Sequence, residues 1–283
     1  MAIKTNEQQI VAIERLERGE VELYLLGTSP LIMNRLPKKA KEQLLLPARS
    51  LNKAAREAVL KHNPPNEFRD AVYRCRDGSA PTFVHVPDGA IKKAMAQAAI
   101  DTPGATKAET GRLVKILDPT VHLYGKPFLH MAVVRQAGIN KTPDIRTRAI
   151  FPEWACKLTI RYIRTRIREM DIVNLNANAG DITGIGDGRT EKGTFDFGSW
   201  EIVDKTNPRW NAIVKQQGRK VQQLALDNPE PYDDDTKELL DWFGTEIVRR
   251  ERGGDSKPKK PKAAIETVIA AGKNGGSKQV DKE

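Results

Sequence analysis

Apolar and polar positions alternate most cleanly over 154–163 (WACKLTIRYI). Cys156, Leu158, Ile160 and Tyr162 fall on one side, and Ala155, Lys157, Thr159 and Arg161 on the other. A period of two over that length predicts a half-buried strand. The same alternation marks 20–26 (EVELYLL), with Val21, Leu23 and Leu25 on one face. Gly27 and Ser29-Pro30 end that strand. Apolar runs at 113–117, 120–125 and 128–134 predict further strands, as does 195–203 (FDFGSWEIV). Segments 69–75 and 82–86 flank DGSAP and read as a hairpin. Helices are predicted over 89–100, N-capped by Asp88, over about 166–178, and over about 208–226 and 235–250. Residues 6–18 read as a short helix or ordered arm, and 38–61 as helical pieces broken at Pro47. The segments 63–66 (NPPN) and 101–112 read as loops, and 136–150 as a long loop or a poorly ordered ribbon.

This order contains two strand–helix–strand passes, which implies an α+β fold: a ferredoxin-like antiparallel sheet with helices on one face. No stretch approaches the ~18 apolar residues of a membrane span. The N-terminus (MAIKTNEQQI) has no apolar core of a secretory signal. Cys75 and Cys156 make neither a disulfide framework nor a structural zinc site. A reducing, cytoplasmic setting is expected, with no membrane partner.

Charge adds a direction. The chain of 283 residues carries 47 Lys+Arg against 37 Asp+Glu, a net of +10. Residues 135–168 hold nine basic side chains against Asp144 and Glu153, so this window alone is +7. The tail from Glu251 holds eight basic and five acidic residues, adding +3. The window reads as a footprint for phosphates, against the alternative of a solvated face. Its candidate contacts are Arg135, Lys141, Arg146, Arg148, Arg161 and Arg164.

The sharpest local feature is glycine. Gly180, Gly184, Gly186, Gly188, Gly193 and Gly198 crowd into 19 residues. No Lys-Ser/Thr follows at P-loop spacing, and the segment precedes a strand rather than opening a helix. Two readings stand: a loop lying against a phosphate backbone with Arg189 and Lys192, or a tightly turned connector. His62, His85, His122 and His130 lack metal-ligand spacing, and Asp181 and Asp187 suit turn capping better than Mg²⁺. No catalytic set, metal or cofactor is expected. Trp154 and Tyr162 read as core; Phe195 could be core or a stacking surface.

GTSPLIMNRL (27–36) after the first strand resembles the opening of CRISPR-associated backbone subunits of the repeat-associated (RAMP) superfamily. GDITGIGDGRTEKGTFDFGSWEIV (180–203) resembles that superfamily's Gly-rich loop and following strand, and also the ending of phage-encoded proteins. The resemblance implies an RRM-like core at 20–206 with long insertions at about 32–66 and 101–150, in the manner of a palm with a thumb or finger. An arm at 1–19, C-terminal helices at 207–250 and a disordered basic tail at 251–283 complete the chain. It implies a non-enzymatic, largely sequence-independent binder of single-stranded DNA or RNA. Copies would associate side by side into a filament or helical oligomer, as a stand-alone homologue in a phage setting. Ser29, Asn34 and Arg35 fall in its first motif, and Gly184, Gly186, Gly188 and Arg189 in its loop. A RAMP-type endoribonuclease, using His85, His122, His130 or Asp181, and a structural adaptor remain as alternatives.

Overall fold

A computed structural model of the protein describes residues 15–37, 41, 45, 62–135, 143–193 and 195–251. The arm at 1–14, nearly all of 38–61, the segment 136–142 with Lys141, and the tail from 252 lie outside the described residues. In chain order the elements begin with β1 (Arg18–Gly27), β2 (Leu31–Met33), α1 (Pro64–Asp70), β3 (His85–Pro87), α2 (Asp88–Ala98) and α3 (Lys107–Leu113). Next come β4 (Val114–Ile116), β5 (Thr120–Tyr124), β6 (Phe128–Arg135), β7 (Pro143–Phe151) and β8 (Ala155–Ile163). The last are α4 (Glu169–Asn178), β9 (Trp200–Val203), α5 (Pro208–Gln216), α6 (Arg219–Asp227) and α7 (Asp234–Glu251). The chain divides into two compact units, Met1–Leu240 and Asp241–Glu283.

The main sheet is antiparallel in the order β3-β5-β8-β1-β9, with β4 also on β8. β4 and β5 act as one edge strand bent at 117–119. There the Asp118 carboxylate accepts the Thr159 N–H at 2.6 Å in place of a ladder carbonyl. Reduced to its passes, the sheet is β1–α2–β4/β5 followed by β8–α4–β9, with β1 and β8 central. That is the ferredoxin-like arrangement. Ile91, Met95 and Ala98 of α2 and Ile172 and Leu175 of α4 cover one face, over Leu23, Leu25, Leu158, Ile160 and Tyr162. Trp154 and Tyr162 are core, as the alternation implies.

The opposite face is half covered. Trp210 and Ile213 of α5 bury Leu26 and Ala155 at one end. At the other end charges are laddered: Lys157 Nζ lies 2.6 Å from Glu22, and Arg161 Nη2 lies 2.7 Å from Glu20. A second sheet, β2-β7-β6, is built by chain inserted between β1 and α2 and between β5 and β8. In the second unit, Glu246 accepts from Arg249 and Arg250 at 2.8 Å one turn on, which holds its carboxyl down to about 2.

Several local expectations are corrected. NPPN opens α1 rather than a loop: Pro64-Pro65 sit where no helical N–H is needed, and the Asn63 side chain accepts from Asn66 N. α1 therefore shortens the hairpin to a rung around Arg74 and Val84. Asp88 lies inside the first turn of α2, and Pro87 is the cap position. The polar stretch 101–112 contains the start of α3, capped by Thr106 accepting from Glu109 N. Of the two readings of 136–150, residues 143–150 take the ribbon rather than the loop and are well ordered, because they pair along β6 and the last five positions of β7 are buried. The helix expected over 208–226 breaks at Gln217-Gly218, where Pro81 O crowds Gly218. The strand expected over 195–203 is formed only from Trp200.

Burial presses the imidazoles of His85, His122 and His130 below their ordinary pKa. The unfolded chain then binds more protons once the pH falls below ~6.5. Stability is complete above that value and is lost as pH falls toward the folded-state pKa values. The urea midpoint should drop between about pH 7.5 and about pH 5, and His130→Gln should make the drop shallower. A midpoint with the same pH dependence in both proteins would contradict this assignment.

Candidate nucleic-acid interface

The two segments that carry the family resemblance, about 150 residues apart, are packed together. The chain leaves α4 through a π-turn, Ala179–Thr183, and enters the glycine loop. Gly184 N donates to Ala179 O at 2.9 Å, Ile185 N to Gly198 O at 3.0 Å, and Asp187 N to Ile32 O at 2.9 Å. Gly198 N donates to Pro30 O at 2.8 Å, and Ser199 N to Ser29 Oγ at 3.0 Å. Gly186 has φ +85°, and a Cβ there would stand 2.4 Å from Ile32 O; at Gly198 (φ +73°) it would stand 1.8 Å from Ile185 O. Glycine is thus required for close backbone packing. Most of these amides bond within the protein, so contacts to a ligand fall mainly to side chains.

Asp187 is the polar centre of this seat. Its Oδ2 accepts from Asn34 Nδ2 at 3.0 Å and lies 3.3 Å from Arg148 Nε, while Oδ1 accepts from Gly188 N at 3.1 Å. Arg148 is only 8% exposed. Burial lowers its pKa, and the Asp187 charge counters that shift. Arg148 therefore positions the loop from below rather than facing solvent.

Beside the seat opens a cleft of ≈ 860 Å³ between α2, the end of β2 and the glycine loop. Leu31, Met33, Val86, Ala94 and Ile185 give it an apolar floor, and Tyr73 lies on its wall. Asn34, Lys93, Lys107 and Arg189 stand at its rim, with Asp88 and Glu191. Glu191 is taken by Arg189 at 2.7 Å, and Lys107 Nζ donates to Gln97 at 3.0 Å. Lys93 is exposed and has no acidic partner among the described residues. Beyond Arg189, Phe195 is 56% exposed and stacks on Phe197, with centroids 5.7 Å apart.

The remaining basic candidates separate into two groups. Arg135 and Arg146 lie exposed toward the tip of the β6–β7 hairpin, in the second sheet. Arg161 and Arg164 lie at the far end of β8 in the main sheet. Arg161 is engaged by Glu20, and Arg164 is exposed without an acidic partner among the described residues. Arg35 is half-buried behind the cleft, its N–H on Ala71 O. Gly188 lies under Phe197. Lys192 follows Arg189 on the short turn Thr190–Lys192. Tyr73, Lys93 and Lys107 do not stand out in the sequence. A lysine on an Ala-rich helix carries no local mark, and the loop it faces is some 90 residues away.

The histidines and Asp181 do not share a site. His85 faces His122 across β3 and β5, and His122 Nδ1 lies 3.0 Å from Thr82 Oγ1. His130 lies 3.7 Å from Asp233. Asp181 is exposed on the π-turn. Among the described residues no group of three His, Cys, Asp or Glu could hold a metal ion. Burial pushes the Cys156 thiol up to about 12, and Cys75 is also raised.

Three variants test the seat. Asp187→Ala leaves Arg148 without its counter-charge and should lower the urea midpoint; Arg148→Met, which removes that charge, should lower it less. Gly198→Ala should cost about 2 kcal/mol or more, from positive φ and the clash with Ile185 O. Equal losses for the first pair, or a neutral Gly198→Ala, would contradict the packing described.

The sequence matches no protein-family profile and no curated protein. Among solved structures the chain is similar to Cmr6 from Pyrococcus furiosus. The match has a TM-score of 0.33 and 9% sequence identity, and covers 66% of this chain and 98% of that one. No helix among the described residues is long and apolar enough to cross a membrane. The fold class rests on this chain's own strand order, a ferredoxin-like antiparallel sheet with helices on one face and inserted strands.

Proposed function

We propose that the protein is a non-enzymatic, largely sequence-independent binder of single-stranded nucleic acid, DNA or RNA, whose copies associate side by side along the strand. The observation that carries this reading is the cleft: an apolar floor with Tyr73 on its wall, and at its rim Lys93 and Lys107, which have no acidic partner among the described residues, beside the ion-paired Arg189. A single strand offers both chemistries at once, phosphates for the cations and unstacked bases for the apolar surface. A duplex hides its bases and has no use for such a floor. The exposed Phe195 ring beside Gly188 offers a further stacking surface, and Arg146 and Arg135 offer phosphate contacts on the hairpin. The resemblance of 27–36 and 180–203 to RAMP backbone subunits supports the same reading, as does its phage-encoded variant, because both segments line the cleft. Cytoplasmic placement follows from the same proposal.

Fluorescence anisotropy with a labelled single-stranded oligonucleotide, titrated in NaCl, tests it. Affinity should fall steeply with salt. Lys93→Ala and Arg146→Ala should each make the log–log slope shallower by ~0.7, the share of one neutralised phosphate on a single strand. Deleting 252–283 should weaken binding without abolishing it. No binding at low salt, or a slope that neither substitution changes, would overturn the reading.

A further inference from the structure

Among the described residues, the main sheet is only partly covered at its β9 edge. β1 runs ten residues, but β9 pairs only with Tyr24–Gly27 of it. The Asn207 N–H to Asp204 O turn then carries the chain away. Gly27 N donates to Trp154 O on the β8 side, and Thr28 N to Ser199 O on the β9 side. By the antiparallel alternation, the N–H and C=O groups of Arg18, Glu20 and Glu22 therefore point out of the sheet on the β9 side. None has a backbone partner among the described residues. α4 packs against both β1 and β9 and so flanks this gap. Its Met170 is 62% exposed, and Val173, Ile167 and the β1 residue Val21 are only partly buried. A polar backbone edge beside an apolar strip is what an added strand would cover.

The chain's own N-terminal segment has the matching chemistry. Gln9–Ile13 (QIVAI) holds four apolar residues in succession, so either strand register turns two of them inward. It is joined to β1 by Glu14-Arg15-Leu16-Glu17, which contains no Gly, Asn, Asp or Pro. A tight hairpin back onto β1 needs such residues at its turn. Glu17 moreover keeps the line of β1, accepting from Arg164 N at 3.0 Å. The segment is thus poorly placed to pair with its own edge and well placed to reach another molecule.

We infer that Gln9–Ile13 of one copy adds as a strand to the Arg18–Glu22 edge of a second copy, seated over Met170 and Val173. The contact is head-to-tail, so each copy both donates and accepts, and repetition gives an open row or a ring. This deepens the proposed self-association and rests on that part of the reading, while needing no nucleic acid.

Complementing variants test it by mass, measured by light scattering without nucleic acid. Deletion of 1–14 removes the donor and keeps the edge. Glu20→Pro removes an outward N–H and keeps the donor, because the Glu20 N–H is not part of the β1–β8 ladder. The pair Met170→Glu/Val173→Glu blocks the same edge without touching the backbone. Wild type should exceed its monomer mass of 31.6 kDa as concentration rises. Each variant alone should be monomeric, and the deletion mixed with either edge variant should give a complex of twice the monomer mass and no larger species. A monomeric wild type, a deletion that still oligomerises, dissociation only on removing 252–283, or variants that fail to complement would each overturn the inference. Anisotropy with a short oligonucleotide on the monomeric variants reads nucleic-acid binding separately, so failure of one reading does not mask the other.

Discussion

The hydrogen bond from Asp187 N to Ile32 O, with the side-chain contacts of Asp187 around it, fixes the relation between the two sheets. Ile32 belongs to β2 and so to the inserted sheet. Asp187 hangs between α4 and β9, which belong to the ferredoxin-like core. Their contact leaves no room for a side chain at Gly186, and Arg148 of β7 closes it from below. The cleft exists because these segments meet: β2 gives part of its floor, the loop gives one wall, and α2 gives the other. A change in the seat would move the rim cations relative to the floor even where none of them was altered.

Charge is partly legible in the sequence and partly misleading there. Counting along the chain puts +7 into residues 135–168. Folding counts across strands. β1 brings Glu20 to Arg161 and Glu22 to Lys157, while Asp187 reaches Arg148 and Glu109 comes to 3.6 Å from Arg166. These partners lie 39 to 141 positions away, too far for a window to include. Of the window's charges, Arg135 and Arg146 on the hairpin and Arg164 at the end of β8 keep no acidic partner among the described residues, while the cleft's open lysines, Lys93 and Lys107, lie outside the window.

The strands with a clean period of two are readable, because one buried face imposes that period. The pass order, and hence the fold, follows from them. The helices at Pro64 and Lys107 escape such a reading because their starts consist of Pro, Asn and Thr, the same residues that make loops. The glycine loop stands out in the sequence, but its role does not. Glycine serves an anion cradle and a tight backbone seat for the same reason, and only the position of Ile32 O separates them. The cleft itself is invisible in the sequence, since its floor and rim come from four separate stretches of the chain.

The proposed function stands or falls on whether a single strand lies in this cleft. The most direct measurement is photo-crosslinking of the intact protein to a single-stranded oligonucleotide carrying 4-thiothymidine, with the adducts located by mass spectrometry. Adducts should form on residues of the cleft and on the neighbouring exposed ring, Tyr73, Met33 and Phe195 foremost, and should disappear at high salt. Adducts confined to the charged face around Glu20, Glu22 and Arg161, or none at salt low enough for binding, would contradict the proposed function.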